Sequence, residues 1–132
     1  MNKKCLYCYG ELTESSQLDY HPKCSLDFFG STKPPSLNYS LIKMNELAKE
    51  MVSHRIAVPG VQPKLSLALI GEVLNQKNTT RLTVVGALGG NYIFKPPSSA
   101  YPEMPENEHL TMKIAKSFGV PTVPSSLIRL QS

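Results

Sequence analysis

The residues best equipped for chemistry stand first in the chain. Cys5 and Cys8 form a C-x2-C pair in CLYC, and DYHPKC supplies His21 and Cys24, giving C-x2-C-x12-H-x2-C. Three thiolates and one imidazole are the ligand types and number of a tetrahedral structural Zn(II) site. Gly10, just after the first pair, suits the tight turn that aims both thiolates at one point. Protein fills all four positions and leaves no place for a reactive water, so the metal predicted here is structural rather than catalytic. Cross-bracing of this kind lets a stretch with little core of its own fold. The competing reading is a disulfide plus a free thiol, or three unrelated buried cysteines, since an odd number cannot all pair within one chain. Against it, no cysteine falls outside the pattern. MNKKCLYCYG also lacks the apolar stretch of a secretory signal, so a cytoplasmic location is expected.

The chain that must position these groups has 132 residues, 41% of them apolar and 18% charged. That is one ordinary domain, or one lobe of something larger, with enough apolar content for a real core. No apolar run approaches the roughly 18 residues needed to span a membrane, so no membrane association is expected. The formal charge of +4 sits entirely between residues 36 and 95, where seven basic side chains face three acidic ones. So small an excess lacks the dense Lys and Arg stripes of nucleic-acid binders. It suits a modest anionic ligand such as a nucleotide.

Phe28 and Phe29 close the first segment, and GSTKPPS (30–36) reads as a linker. Ser40 is the expected N-cap of a helix to about His54, with Leu41, Met44, Leu47, Ala48, Met51 and Val52 at helical spacing. After a turn-rich loop (58–63), strands are predicted at Lys64–Ile70, Arg81–Val85 and Tyr92–Lys95. A polar hairpin tip at Asn75–Thr80 and a glycine-rich turn GALGGN (86–91) would separate them. Pro96 and Pro97 stop the third strand, because proline cannot donate to a sheet ladder. Pro105 suits the first position of a helix to Phe118, Gly119 its C-cap, and Thr122–Leu130 an extended tail. The order is α+β: a zinc-knuckle segment (1–33), then a small antiparallel sheet with helices (34–132). At about 100° per residue, Glu108 falls between Met112 and Ala115 on the inner face of the second helix, while Glu106 lies outward beside Lys113. An inward carboxylate wants a cationic partner, and Lys95, the last residue of YIFK, is the nearest candidate.

A glycine-containing loop, a strand ending in lysine and a helix with an inward glutamate follow the order of parts in a kinase N-lobe. The words PGVQPKLSLAL (59–69), YIFKPP (92–97) and PENEHLTMKIAKSFGVPTVPSSLIRL (105–130) closely resemble the HipA-like serine/threonine kinases, the bacterial toxin kinases of HipBA-type toxin–antitoxin modules. The opening CLYCYGEL…DYHPKCSLDFFG is similar to members with a cysteine-rich N-terminus. The resemblance implies that Lys95 is the ATP-phosphate lysine and Glu108 its helix partner. It makes Gly60, Val61, Gln62, Pro63 and Lys64 the phosphate-covering loop. Where the family often carries an autophosphorylated serine before this loop, the chain has Ala57; Ser53 and Ser66 flank the position without matching it.

The family continues into a helical C-lobe with a catalytic aspartate and metal-binding asparagine and aspartate. Here the two aspartates, Asp19 and Asp27, both lie in the knuckle. The expectation is therefore an N-terminal kinase part, inactive by itself, that engages ATP and Mg(II) with a C-lobe. By family precedent its partners would be that lobe, a small N-subdomain protein, a HipB-like DNA-binding antitoxin and a protein substrate such as a translation factor. The alternative is a non-enzymatic zinc-binding module recognising nucleic acid or a protein partner through its basic middle segment and knuckle aromatics. Tyr7, Tyr9, Tyr20, Phe28 and Phe29 are expected rather to pack around the knuckle. His54 and His109 are read as surface polar residues.

Overall fold

A computed structural model describes residues 3–53, 64–74, 77–86 and 90–132. Three helices, α1 (Pro22–Phe29), α2 (Leu41–Ser53) and α3 (Met104–Ser117), accompany three strands, β1 (Leu65–Leu74), β2 (Lys77–Gly86) and β3 (Tyr92–Phe94). The architecture is the α+β arrangement expected. The chain divides into two units, Met1–Pro34 with Glu106–Ile128, and Pro35–Pro105 with Arg129–Ser132. The first 33 residues thus group with most of α3 and the segment after it. No helix among the described residues is long and apolar enough to cross a membrane.

In the second unit, Ser40 caps α2 as its position predicts. Its Oγ accepts the Lys43 N–H at 3.2 Å, and its carbonyl accepts the Met44 N–H at 3.0 Å. The helix buries Met44 and Ala48, one turn apart on a single face. The sheet has the order β2-β1-β3, antiparallel throughout, with an irregularity between Ser66 and Leu67. Period-2 alternation puts Leu65 and Leu67 into the core with Leu82 of β2. The hairpin is tighter than its polar sequence suggests. Lys77 to Thr80 pair with Leu74 to Gly71, so the expected tip narrows to Asn75 and Gln76, which lie outside the described residues. Polar character misled there, because β-branched Thr79 and Thr80 suit a strand. The linker also joins the sheet: the Ser36 N–H donates to Thr80 O at 3.0 Å, and the Leu82 N–H to Ser36 O at 2.8 Å.

One glycine here is required by space. The Gly90 N–H donates to the buried Ser66 Oγ at 2.7 Å. A Cβ at position 90 would overlap the Leu67 carbonyl and the Ser66 hydroxyl.

In the first unit, the Cys5–Glu11 turn is followed by α1, a helix the sequence reading did not foresee. Pro22 opens it, and Gly30, at φ 76°, closes it with its N–H on Leu26 O at 3.0 Å. Gly119, at φ 79°, ends α3, its N–H donating to Lys116 O at 3.0 Å. The extended segment beyond returns to the start of the chain, where the Leu127 N–H donates to Leu6 O at 3.1 Å.

Gly90→Ala is expected to destabilise the protein by about 1–3 kcal/mol, the range for forcing atoms into a filled site. Gly71→Ala, where an added Cβ meets nothing within 4 Å, should be near neutral. Thermal or urea denaturation of the pair checks the contrast.

Candidate metal centre

The four residues singled out by spacing converge. One ligand atom from each of Cys5, Cys8, His21 and Cys24 lies within 4.8 Å of every other. All three cysteines are free thiols in this structure. The turn between the first two is built by backbone bonds: the Tyr9 N–H donates to Cys5 O at 3.0 Å, and the Cys5 N–H to Gly10 O at 2.9 Å. Closing it forces Tyr9 to φ 63°, the left-handed region that non-glycine residues rarely adopt. Gly10 lies against the site, where its N–H donates to Cys8 Sγ at 3.4 Å. A Cβ there would come within 3.2 Å of His21 Cε1 and 3.3 Å of Cys8 Sγ.

His21 is oriented by a backbone carbonyl. Its Nε2–H donates to Glu11 O at 3.0 Å, which leaves the Nδ1 lone pair facing Cys8 Sγ at 3.4 Å and Cys24 Sγ at 3.7 Å. A carbonyl that fixes the tautomer from behind is the usual support of a metal-ligating histidine. The same bond raises the pKa of His21. Two of the thiols shift in opposite directions. Burial raises Cys5, but backbone hydrogen bonds from Cys8, Tyr7 and His21 outweigh it and bring it to about 7. Burial, then hydrogen bonds with Cys8 and Cys5, push Cys24 up to about 12. Thiolates at these separations repel one another, and a divalent cation at the centre removes that cost. The donor set and its spacing fit structural zinc, and with four protein donors the ion would brace the fold rather than activate water.

The aromatic residues pack around this site. Tyr7 and Phe28 lie 5.7 Å apart, Phe28 and Phe29 4.9 Å, and Tyr20 and Phe29 5.4 Å, the last two edge to face. The Tyr7 hydroxyl donates to Asp27 Oδ2 at 2.6 Å, and that bond is the main reason its pKa rises to about 12. Asp19 pairs with Lys3 at 3.1 Å. Both aspartates of the chain are thus engaged beside the metal ligands.

His109 corrects the surface assignment. It is 3% exposed on α3, with Nδ1 accepting the Tyr9 hydroxyl at 2.6 Å and Nε2–H donating to Ser125 O at 3.2 Å. Burial, then the nearby Lys113 cation, lowers its pKa, against a smaller upward effect of the Ser125 carbonyl. Sequence gave one clue, since His109 lies on the flank of α3 next to Met112 and Lys113 rather than on the Leu110 side.

Of the residues expected at a nucleotide site, Gly60, Val61, Gln62 and Pro63 lie outside the described residues, as do Ala57 and His54. Lys64 is half-buried immediately before β1, and Lys95 half-buried immediately after β3, both in the second unit. Glu108 is half-buried in the first turns of α3, in the first unit, while Glu106 is exposed. Ser66 is 4% exposed, with its hydroxyl accepting a backbone N–H.

Residues 56–132 match the HipA-like C-terminal domain family. A protein of Haemophilus influenzae named "Putative kinase" is 36% identical over 73 residues, a stretch amounting to 55% of this chain and 19% of that protein. The chain therefore covers about a fifth of the length of that relative.

The His109 geometry has a pH signature. Its folded pKa lies below the ordinary 6.5, so the unfolded chain binds the proton more readily. The stabilisation is complete above about 6.5 and is lost as pH falls from there through the lowered value. Zinc-loaded wild type should lose melting temperature between pH 7 and 5 more steeply than zinc-loaded His109→Gln, and equal slopes would count against this environment.

Proposed function

Because the chain belongs to the HipA-like C-terminal domain family, we propose that it is the nucleotide-binding part of a HipA-like serine/threonine protein kinase, preceded by a zinc-braced segment. The family match is the observation that carries this reading, since its span of residues 56–132 includes Lys64, Lys95 and Glu108. In this reading Lys95 neutralises the ATP phosphates, Glu108 holds the lysine, and residues 60–64 cover the phosphates. Position supports the lysine: Lys95 directly follows a sheet strand and precedes the buried Pro96.

The catalytic base and the Mg(II)-binding groups belong to a C-lobe in this reading. Asp19 and Asp27 are the aspartates of the chain, and their engagement with Lys3 and Tyr7 supports the view that this chain by itself does not transfer phosphate. ATP and Mg(II) would be held together with the C-lobe. The family reading extends to a bacterial cytoplasmic toxin–antitoxin setting, with a HipB-like antitoxin, a small N-subdomain protein and a translation factor as substrate. The mutual packing of Tyr7, Tyr20, Phe28 and Phe29 favours this reading over a zinc module that stacks bases on those rings.

The test is phosphotransfer from labelled ATP by the chain together with a polypeptide supplying a HipA-like C-lobe. Activity is expected in the combination and not in the chain alone, with Lys95→Ala lowering it about 10²-fold or more, as for loss of one preorganised charge-stabilising group. Full activity in Lys95→Ala would remove the lysine from its role.

A further inference from the structure

The residues that flank Cys8 are the ones that hold α3. Tyr9 reaches the helix at His109, as its hydroxyl bonds Nδ1 at 2.6 Å with ring centroids 5.0 Å apart. Tyr7 reaches it one turn later, where Lys113 Nζ sits 3.9 Å from the ring centroid. Residues 109 and 113 are neighbours on one helix face. Leu6 completes the set, its carbonyl accepting the Leu127 N–H at 3.1 Å and the Ser126 hydroxyl at 3.3 Å. Tyr20 adds a bond from its hydroxyl to Leu127 O at 2.5 Å. His109 in turn donates to Ser125 O, so one imidazole links the knuckle turn, the helix and the segment beyond it.

Among the described residues, α3 buries little else. His109 is the one buried side chain of the helix. The stripe at Leu110, Ile114 and Phe118 is 48%, 49% and 82% exposed. In its unit α3 is therefore held to the turn that carries Cys5, Cys8 and the left-handed Tyr9.

We propose that the metal knuckle is a clamp for α3, with His109 as the positioning residue that transmits the state of the metal site to the helix through Tyr9. Metal bound at Cys5, Cys8, His21 and Cys24 fixes the turn, the turn presents the Tyr9 hydroxyl, and His109 holds the helix to it. Loss of the metal frees the turn and releases α3. The consequence for phosphotransfer rests on the reading of Glu108 given above, because that residue precedes His109 and moves with it. The claim about α3 itself does not.

Hydrogen exchange by mass spectrometry on the full chain, with zinc content measured in parallel, tests this. Chelation of zinc, or Cys24→Ser, is expected to speed amide exchange across α3. Tyr9→Phe should retain one equivalent of zinc and still speed exchange in residues 109–116 by about 3- to 10-fold, the effect of one lost buried hydrogen bond. His109→Leu should do the same. His109→Gln, which keeps an acceptor for Tyr9 and a donor for Ser125, should restore protection. The strand β1 serves as internal reference and should not change. Zinc-loaded Tyr9→Phe exchanging like wild type, or α3 unaffected by chelation, overturns the clamp. A wild-type chain that binds no zinc overturns the metal part, whatever Tyr9→Phe does. Inactive Lys95 or Glu108 roles in the phosphotransfer assay leave these exchange results untouched, so the two readings fail separately.

Discussion

Three cysteines brought within 4.8 Å of one another and of a histidine cannot all ionise to their ligating thiolate form at little cost unless something positive sits among them. The first unit is organised around that constraint. Burial and the neighbouring thiols raise the pKa of Cys24, while backbone N–H groups favour the thiolate of Cys5. A divalent ion held by Cys5, Cys8, His21 and Cys24 would take the place of the thiol protons and turn mutual repulsion into shared attraction. Structural zinc in small peptides contributes on the order of 10 kcal/mol or more at neutral pH. That is the scale needed by a segment whose buried apolar residues include little beyond Cys5, Leu12, Tyr20 and Phe29.

The second unit is held by different physics. Leu65, Leu67, Leu82, Met44 and Ala48 form an ordinary hydrophobic core, and the sheet is completed by backbone pairing from the linker at Ser36. Among its described residues, the close approach of Gly90 to Leu67 and Ser66 demands a particular residue for steric reasons. If the first unit is braced by a metal, the two units answer to different perturbations: chelators would act on the first, while core truncation acts on the second. The family match covers most of the second unit and residues 106–128 of the first, and it gives the strand-end lysine and the helix glutamate their proposed meaning.

Much of this was legible in the sequence, and what was missed has a common cause. Ligand spacing picked out four donors that converge in space, because each pair lies close in the chain and zinc accepts a narrow set of donors. Ser40, Pro105 and Gly119 marked helix ends because caps are local chemistry. His109 was not legible, because the group that buries it, Tyr9, is 100 residues away. A histidine on a helix carries no local mark of a distant hydroxyl. The hairpin was mislocated for a related reason. The polar run at Lys77–Thr80 looks like a loop in isolation, and only pairing with β1 makes it a strand.

The account stands or falls on the first coordination shell of a bound metal. X-ray absorption at the zinc edge of the purified protein reads that shell directly. The account predicts three sulfurs at about 2.3 Å and one nitrogen at about 2.0 Å, collapsing to two sulfurs or to no bound zinc in Cys24→Ser. A shell of water or carboxylate oxygens, or a wild-type protein that folds fully without metal, would contradict it.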